Sequence, residues 1–303
     1  MKPICLLGNP EDKQLVYLAW LSGREGLAVV WLDEACLGSA WDLSFCDDPY
    51  RWTLKSATYE HVQTDIQGIF VRFDPHISAS EVFEQSSPEE LFVLSERRTG
   101  LQHWLSLVRQ PVINRPWAGR ENAAKPFQMQ QLADAGMEVP RWVVTNESTR
   151  AQSFLSSCTN GAVVKSCSGL RPKVKMAGEW IIERLQSGSS PVILQEYVSG
   201  REVRVHVVGE RSFPAEVNSR DVDYRFSEEP TGYALTSLPS QIGHACVRDA
   251  QRAGLTLAGF DFRVSNEDKW FCLEMNPVPS FLPYELATGL PIAKAVLREL
   301  GRG

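Results

Sequence analysis

Histidine is scarce in this chain, and cysteine never stands at the spacing that builds a zinc site. The five histidines, His61, His76, His103, His206 and His244, are isolated from one another, with no extra cluster of acids beside them. That weighs against a metal-dependent hydrolase. His206 lies inside an apolar strand pattern and reads as a structural histidine rather than a base. The seven cysteines are odd in number and form no CxxC pair, which disfavours a disulfide framework or structural zinc and favours reduced thiols. A basic excess is missing too: 31 Lys and Arg stand against 37 Asp and Glu, for a net charge of −6. A large nucleic-acid footprint is therefore not expected. No apolar run approaches a membrane span, and the opening MKPICLLGNPEDK is too briefly apolar for a secretory signal. The expected location is the cytoplasm, with no membrane and no nucleic acid among the partners. Internal repeats and low-complexity tracts are absent.

What is present is an ordinary enzyme composition, 43% hydrophobic and 22% charged over 303 residues, enough for more than one packed core. Three sections suggest themselves, at 1–112, 113–190 and 191–303. In the first, Ile4–Leu7 ends in the turn signal Gly8-Asn9-Pro10 and reads as a strand. Gln14 to Leu21 sets Leu15, Leu18 and Trp20 within helical reach, Gly26 closes that helix, and Leu27 to Leu32 is a second strand. Strand–helix–strand implies a parallel sheet, with Gly68 to Phe73 a later member. Pro88 to Val108 is a helix with Ser87 as its N-cap. In the second section Pro111 to Asn114 is a short strand, and a helix over Ala123 to Ala135 stops at Gly136. Trp142 to Thr145, Ala162 to Lys165 and Val174 to Met176 are strands, the last two arranged as a flap around Ser166 to Gly169. In the third, Val192 to Val198, Val203 to Val208 and Ser212 to Val217 suggest antiparallel sheet. A helix over Gln241 to Ala253 follows, then paired strands Leu257 to Val264 and Trp270 to Met275, and a closing helix from Pro291 to Leu300.

The chemistry concentrates in Gly259-Phe260-Asp261-Phe262-Arg263 and Cys272-Leu273-Glu274-Met275-Asn276-Pro277. Side chains alternate along a strand, so Glu274 and Asn276 share a face while Leu273 and Met275 turn to the core, and Asp261 on the partner strand can join the acids. Two carboxylates and an amide oxygen make a hard, all-oxygen site of the kind magnesium prefers. Solvated acids on a hairpin edge are the plain alternative.

The order of motifs resembles the ATP-grasp superfamily, and within it the RimK-like peptide ligases. The matching pieces are Ala162-Val163-Val164-Lys165, then Gln195 through Arg204, then Gly259-Phe260-Asp261, then Glu274-Met275-Asn276-Pro277, and finally Ala287-Thr288-Gly289-Leu290-Pro291-Ile292. The resemblance covers about Asn114 to the C-terminus. It implies an α/β (α+β) ATP-grasp fold: an N-terminal parallel α/β domain, a central flap domain and a C-terminal mixed-sheet domain. It implies ATP and Mg2+ as cofactors, with Asp261, Glu274 and Asn276 as metal ligands and Lys125 and Lys165 on the phosphates. Ser168 and Gly169 fall in the phosphate-covering loop, which here carries one glycine. Gln195, Glu196, Tyr197 and Val198 resemble the hinge that binds adenine, Glu202 the acid that takes the ribose hydroxyls, and Arg204 the arginine that steadies an acyl phosphate.

The segment Asn218 to Arg225 is similar to the acceptor-side stretch of graspetide (microviridin-type) macrocyclases, where Arg225 suits a carboxylate substrate. Here Val278-Pro279-Ser280-Phe281 follows Asn276-Pro277, in place of the Gly-Gln-Phe common in that group. Ribosomal-protein glutamate ligases are the other similar group. The implied activity is ATP-dependent ligation of a carboxylate to an amine or hydroxyl through an acyl phosphate, on a peptide or protein, with a flap ordering over the nucleotide. Small amino-acid ligation, or nucleotide binding without turnover, are the alternatives. A homodimer or higher homo-oligomer is among the expected partners. From the residues alone other readings stay open: Lys125 as a solvated helix lysine, Glu202 with Arg204 as a surface ion pair, Arg225 paired with Asp221 or Asp223, and Arg72 either reaching the site or pairing with Asp74 or a neighbour. Arg171, Lys173 and Lys175 alternate, either as phosphate contacts or as an exposed strand face.

Overall fold

The structure is a computed structural model describing residues 2–48, 51–56, 60–62, 66–72, 87–167, 174–218 and 232–301. The chain opens with strand β1 (Ile4–Leu7), helix α1 (Lys13–Arg24) and strand β2 (Val29–Leu32), then three short strands, β3 (Trp41–Phe45), β4 (Trp52–Ser56) and β5 (Glu60–Val62), then β6 (Ile69–Val71), α2 (Pro88–Leu107) and β7 (Val112–Ile113). β2, β1, β6 and β7 form one parallel sheet in that order, and β3–β4–β5 form a separate antiparallel sheet. The whole of β1 is buried because both faces of a parallel sheet are covered. Ile4 and Leu6 face α1, while Cys5 and Leu7 face α2 and the tryptophans Trp41 and Trp52. Asp12 caps α1, and Ser87 with Glu90 makes a reciprocal capping box on α2. Leu15 and Leu18 are buried as their spacing implies, but Trp20 is 51% exposed and stacks on Tyr17 instead.

Next come α3 (Lys125–Asp134), β8 (Trp142–Thr145), α4 (Ser148–Ser156), β9 (Ala162–Ser166), β10 (Lys175–Met176), α5 (Glu179–Gln186) and β11 (Val192–Glu196). These strands form the order β10–β9–β11–β8, antiparallel throughout. Val143, Val164 and Leu194 pack onto α4 and α5. Residues one step along each strand, Val144, Lys165 and Ile193, share the opposite face by register.

The remainder is β12 (Arg201–Val208), β13 (Arg211–Asn218), β14 (Gly232–Leu235), α6 (Ser240–Arg252), β15 (Leu257–Val264), β16 (Trp270–Asn276), α7 (Leu282–Thr288) and α8 (Ile292–Leu300). Its five strands run β14–β13–β12–β15–β16. One face carries Val203, Val205, Phe260, Phe262 and Met275 against α6 and α3. The other is apolar at one end, where Val208, Phe213 and Leu257 meet α1, α7 and α8, and polar at the other. That shared core joins the opening parallel sheet to the last one. Among the described residues no helix is long and apolar enough to cross a membrane.

Candidate active site

The polar end of the five-stranded sheet is built by register. β12 and β15 pair with Arg204 opposite Asp261 and Glu202 opposite Arg263, and β15 and β16 pair with Asp261 opposite Glu274 and Gly259 opposite Asn276. Residues opposite one another in an antiparallel pair point to the same side, so Arg204, Asp261, Glu274 and Asn276 share a face. A bulge between Asp261 and Phe262 makes this so. Phe262 stands opposite Cys272, which leaves Leu273 as the extra residue. The expectation that Leu273 faces the core is thereby corrected: Met275 and Cys272 are buried there and Leu273 is half-buried.

Each carboxylate has a cation. Arg204 Nη1 lies 2.5 Å from Asp261 Oδ1, and the arginine side chain is 4% exposed. Lys125 Nζ donates to Glu274 Oε2 at 2.8 Å and to Asn122 Oδ1 at 2.6 Å. Lys125 is thus no solvated helix lysine. Burial opposes charge at Glu274, but the Lys125 and Lys165 ammonium groups outweigh it and hold the carboxyl well below the usual range. At Asp261 burial, helped by the neighbouring Glu274 charge, outweighs Arg204 and pushes the carboxyl up. Glu202 does not pair with Arg204; its carboxylate takes Arg263 at 3.2 Å, because Arg263 is its cross-strand neighbour.

Lys125 reaches Glu274 because α3 is pinned to β16. Gln128, 1% exposed, donates from Nε2 to Met275 O at 2.8 Å and accepts from Met275 N at 3.1 Å. β16 is an edge strand, and this amide stands where the next strand's main chain would. At the far end of α3, Arg248 and Arg252 donate to the carbonyls of Ala135 and Gln131.

The loop after Asn276 is held from four directions. Asn276 Oδ1 accepts from Val278 N at 2.9 Å. Asn114 donates to Pro277 O, His206 to Ser280 O, and Gln14 accepts from Phe281 N. Arg72 Nη1 lies 3.4 Å from Val278 O, while its Nε pairs with Asp12 at 3.0 Å, so Arg72 has a described partner in the helix cap. Asp74 lies outside the described residues. His206 is buried with its Nε2–H on a carbonyl, and burial followed by the Arg204 charge lowers its pKa to about 3. It is neutral and structural, as expected.

The hinge residues divide. Gln195 is 1% exposed and its amide touches Met129 Sδ at 3.1 Å. Glu196 turns its carboxylate to Arg141, at 2.8 and 3.1 Å, which holds it ionised below its usual range. That side chain is committed within the protein, and Tyr197 N is bonded to Gly161 O. Val198 lies two residues beyond the end of β11. Lys175 stands opposite Val164, on the face away from Lys165, and is exposed; the strand-face reading applies to it. Ser168, Gly169, Arg171, Lys173, Asp221, Asp223 and Arg225 lie outside the described residues. Sequence reasoning missed Gln128, Asn122, Asn114, Gln14 and Arg141, because an amide or arginine far along the chain carries no local signal of its partner.

Known proteins share this architecture. The ligase PsnB, in a structure described as complexed with minimal precursor, Mg and ADP, superposes with a TM-score of 0.80 at 20% identity, covering 98% of this chain and 97% of that one. The macrocyclase MdnC from Microcystis aeruginosa MRC, bound with its precursor peptide MdnA, gives 0.81 at 17% identity over 99% of this chain and 100% of that one. The chain has the ATP-grasp fold. The expectation of an α/β (α+β) protein of that fold therefore holds. No protein-family model matches the sequence. Two proteins named probable alpha-L-glutamate ligase are similar in sequence. The one from Mannheimia succiniciproducens is 23% identical over 63% of this chain and 67% of its own length. The one from Xanthomonas euvesicatoria pv. vesicatoria is 27% identical over 56% of this chain and 62% of its own, so the match spans less than two thirds of that protein.

Proposed function

We propose that the chain is an ATP-dependent ligase that activates a carboxylate as an acyl phosphate and passes it to an amine or hydroxyl, with a peptide or protein as substrate. One observation carries the reading. Two carboxylates from neighbouring strands, Asp261 and Glu274, stand opposite one another with Arg204, Lys125 and Lys165 gathered around them. Cations gathered around paired acids suit a site that receives both a metal ion and polyphosphate.

The donor set fits magnesium. Two carboxylates and an amide oxygen share a face, and burial, with the neighbouring Glu274 charge adding to it, pushes the Asp261 carboxyl up, a cost that a divalent cation relieves. Asp261, Glu274 and Asn276 would hold the ion, which supplies charge neutralisation at the phosphates. Lys125 and Lys165 bind phosphate oxygens, and the Val144–Ile193 wall with the main chain at Gln195 to Val198 receives the base. Glu202, Ser168 and Gly169 complete the nucleotide contacts proposed here. A substrate carboxylate oxygen attacks the γ-phosphorus, and the bond to ADP breaks. The amine or hydroxyl then attacks the acyl carbon, loses its proton, and inorganic phosphate leaves. Arg204 offsets the negative charge at the acyl phosphate, and Arg225 would bind the substrate carboxylate. Little covalent chemistry is asked of the protein.

The peptide substrate is supported by PsnB and MdnC, whose structures contain precursor peptides. The names of the sequence relatives favour a second reading, transfer of glutamate. The test is ADP release from purified protein with ATP and magnesium, given acidic peptides, free glutamate, or neither. Peptide-dependent release supports the proposal. Release with glutamate alone moves the substrate to the second reading, and none with any carboxylate refutes ligase activity.

A further inference from the structure

We propose that Gly259 is a positioning residue whose missing side chain seats the Arg204 guanidinium at the site. The inference rests on the ligase reading for its functional consequence, and on geometry for the rest. A strand arginine ordinarily extends toward solvent. Arg204 instead is 4% exposed, folded down along the sheet to Asp261. It can lie there because the residue beneath it is glycine. A Cβ on Gly259 would fall 2.3 Å from Arg204 Nη2, 2.6 Å from Cζ and 2.7 Å from Nε. The conflict is with the guanidinium, the movable end of the side chain, so relieving it displaces the very group that holds Asp261.

On β12 the next residue on the same face is His206, which stands opposite Gly259 and packs edge-on against Tyr284 at 4.8 Å between ring centroids. Tyr233 packs against Tyr284 at 4.3 Å. His206 thus lines the same face beside Gly259, and a Cβ there conflicts with the guanidinium in its present seat on Asp261. The backbone does not by itself demand glycine here. Gly259 lies in a regular stretch of β15 and is not among the positive-φ glycines. Glycine inside a strand often marks such a close approach. Gly259→Ala is thus a probe whose three nearest contacts all belong to the Arg204 guanidinium.

The experiment is a double-mutant cycle of Gly259→Ala and Arg204→Met, with kcat and KM for ATP and substrate, and a crystal structure of Gly259→Ala. We expect Gly259→Ala to lower kcat at least tenfold while KM for ATP changes less than about threefold. In the Arg204→Met background the same change should alter kcat less than twofold, because Gly259 acts only through the arginine. A full loss in both backgrounds, or wild-type kcat in Gly259→Ala, overturns the proposal. The crystal structure judges it even if Arg204→Met does not fold or if no carboxylate supports turnover. Arg204 displaced from Asp261 in that variant upholds the seat, and Arg204 unmoved overturns it. Absence of turnover in the wild type refutes the ligase reading alone.

Discussion

Replacing Gln128 with methionine removes two hydrogen bonds while keeping the length and nearly the volume of the side chain. Gln128 and Met275 are 1% and 2% exposed, so the N–H and C=O of Met275 would be left buried without their partner. Each orphaned group costs about 1–3 kcal/mol, and partial relaxation of an edge strand toward water favours the lower end. A loss of roughly 2–4 kcal/mol is a large share of a stability that is typically about 5–15 kcal/mol. Lys125 lies one turn before Gln128, and Glu274 is the residue next to Met275. Any slip of α3 along β16 therefore opens the 2.8 Å contact between them. Displacement of a positioned group by about 1 Å is worth roughly a hundredfold in rate. Urea unfolding should show a lower midpoint at unchanged slope, and ADP release should fall at least tenfold. Gln128→Glu sharpens the test. A protonated carboxyl reproduces both bonds, whereas a carboxylate opposes the Met275 carbonyl. Its folded pKa is therefore raised, its stability is present below the unfolded value and lost as pH rises. A Gln128→Met variant with the wild-type midpoint and rate would show that Arg248 and Arg252 register α3 by themselves.

Asp261→Asn and Glu274→Gln should each reduce magnesium-dependent ADP formation at least a hundredfold while leaving the far-ultraviolet circular dichroism unchanged; retained turnover in both would remove the metal assignment. Removing magnesium with a chelator should abolish turnover reversibly, and full activity in the chelator would do the same. His206 has a folded pKa of about 3 against about 6.5 unfolded, so the unfolded state binds its proton first and stability is lost as pH falls below 6.5. The wild type should lose about 1.4 kcal/mol per pH unit between pH 6 and 4 beyond His206→Gln, and parallel losses in urea melts would refute this. Arg141→Met should raise the KM for ATP several-fold by releasing Glu196, with the urea midpoint little changed since Arg141 is half exposed; an unchanged KM would separate Glu196 from the nucleotide.

Strand and helix positions were legible wherever the pattern was regular. Ile4–Leu7, Trp142–Thr145 and Leu257–Val264 lie where the sequence places them. The short strands β3, β4 and β5 were not legible, nor were α4, α5 and α7. These are brief elements that owe their stability to packing, such as Trp52 edge-on to Trp104 at 5.3 Å across the β4–α2 contact. The bulge at Leu273 was equally hidden, since an extra residue shows only against its partner strand.

Alternation along each strand, a local consequence of the pleat, was enough to place Glu274 and Asn276 on one face and to suggest that Asp261 joins them. Which cation meets which acid was decided in three dimensions. Lys125 and Glu274 are 149 residues apart and Arg204 and Asp261 are 57 apart, so no periodicity within a segment relates them. Strand register, the bulge, the Gln128 bridge and the empty space above Gly259 bring them together. Each of these exists only once separate segments have packed.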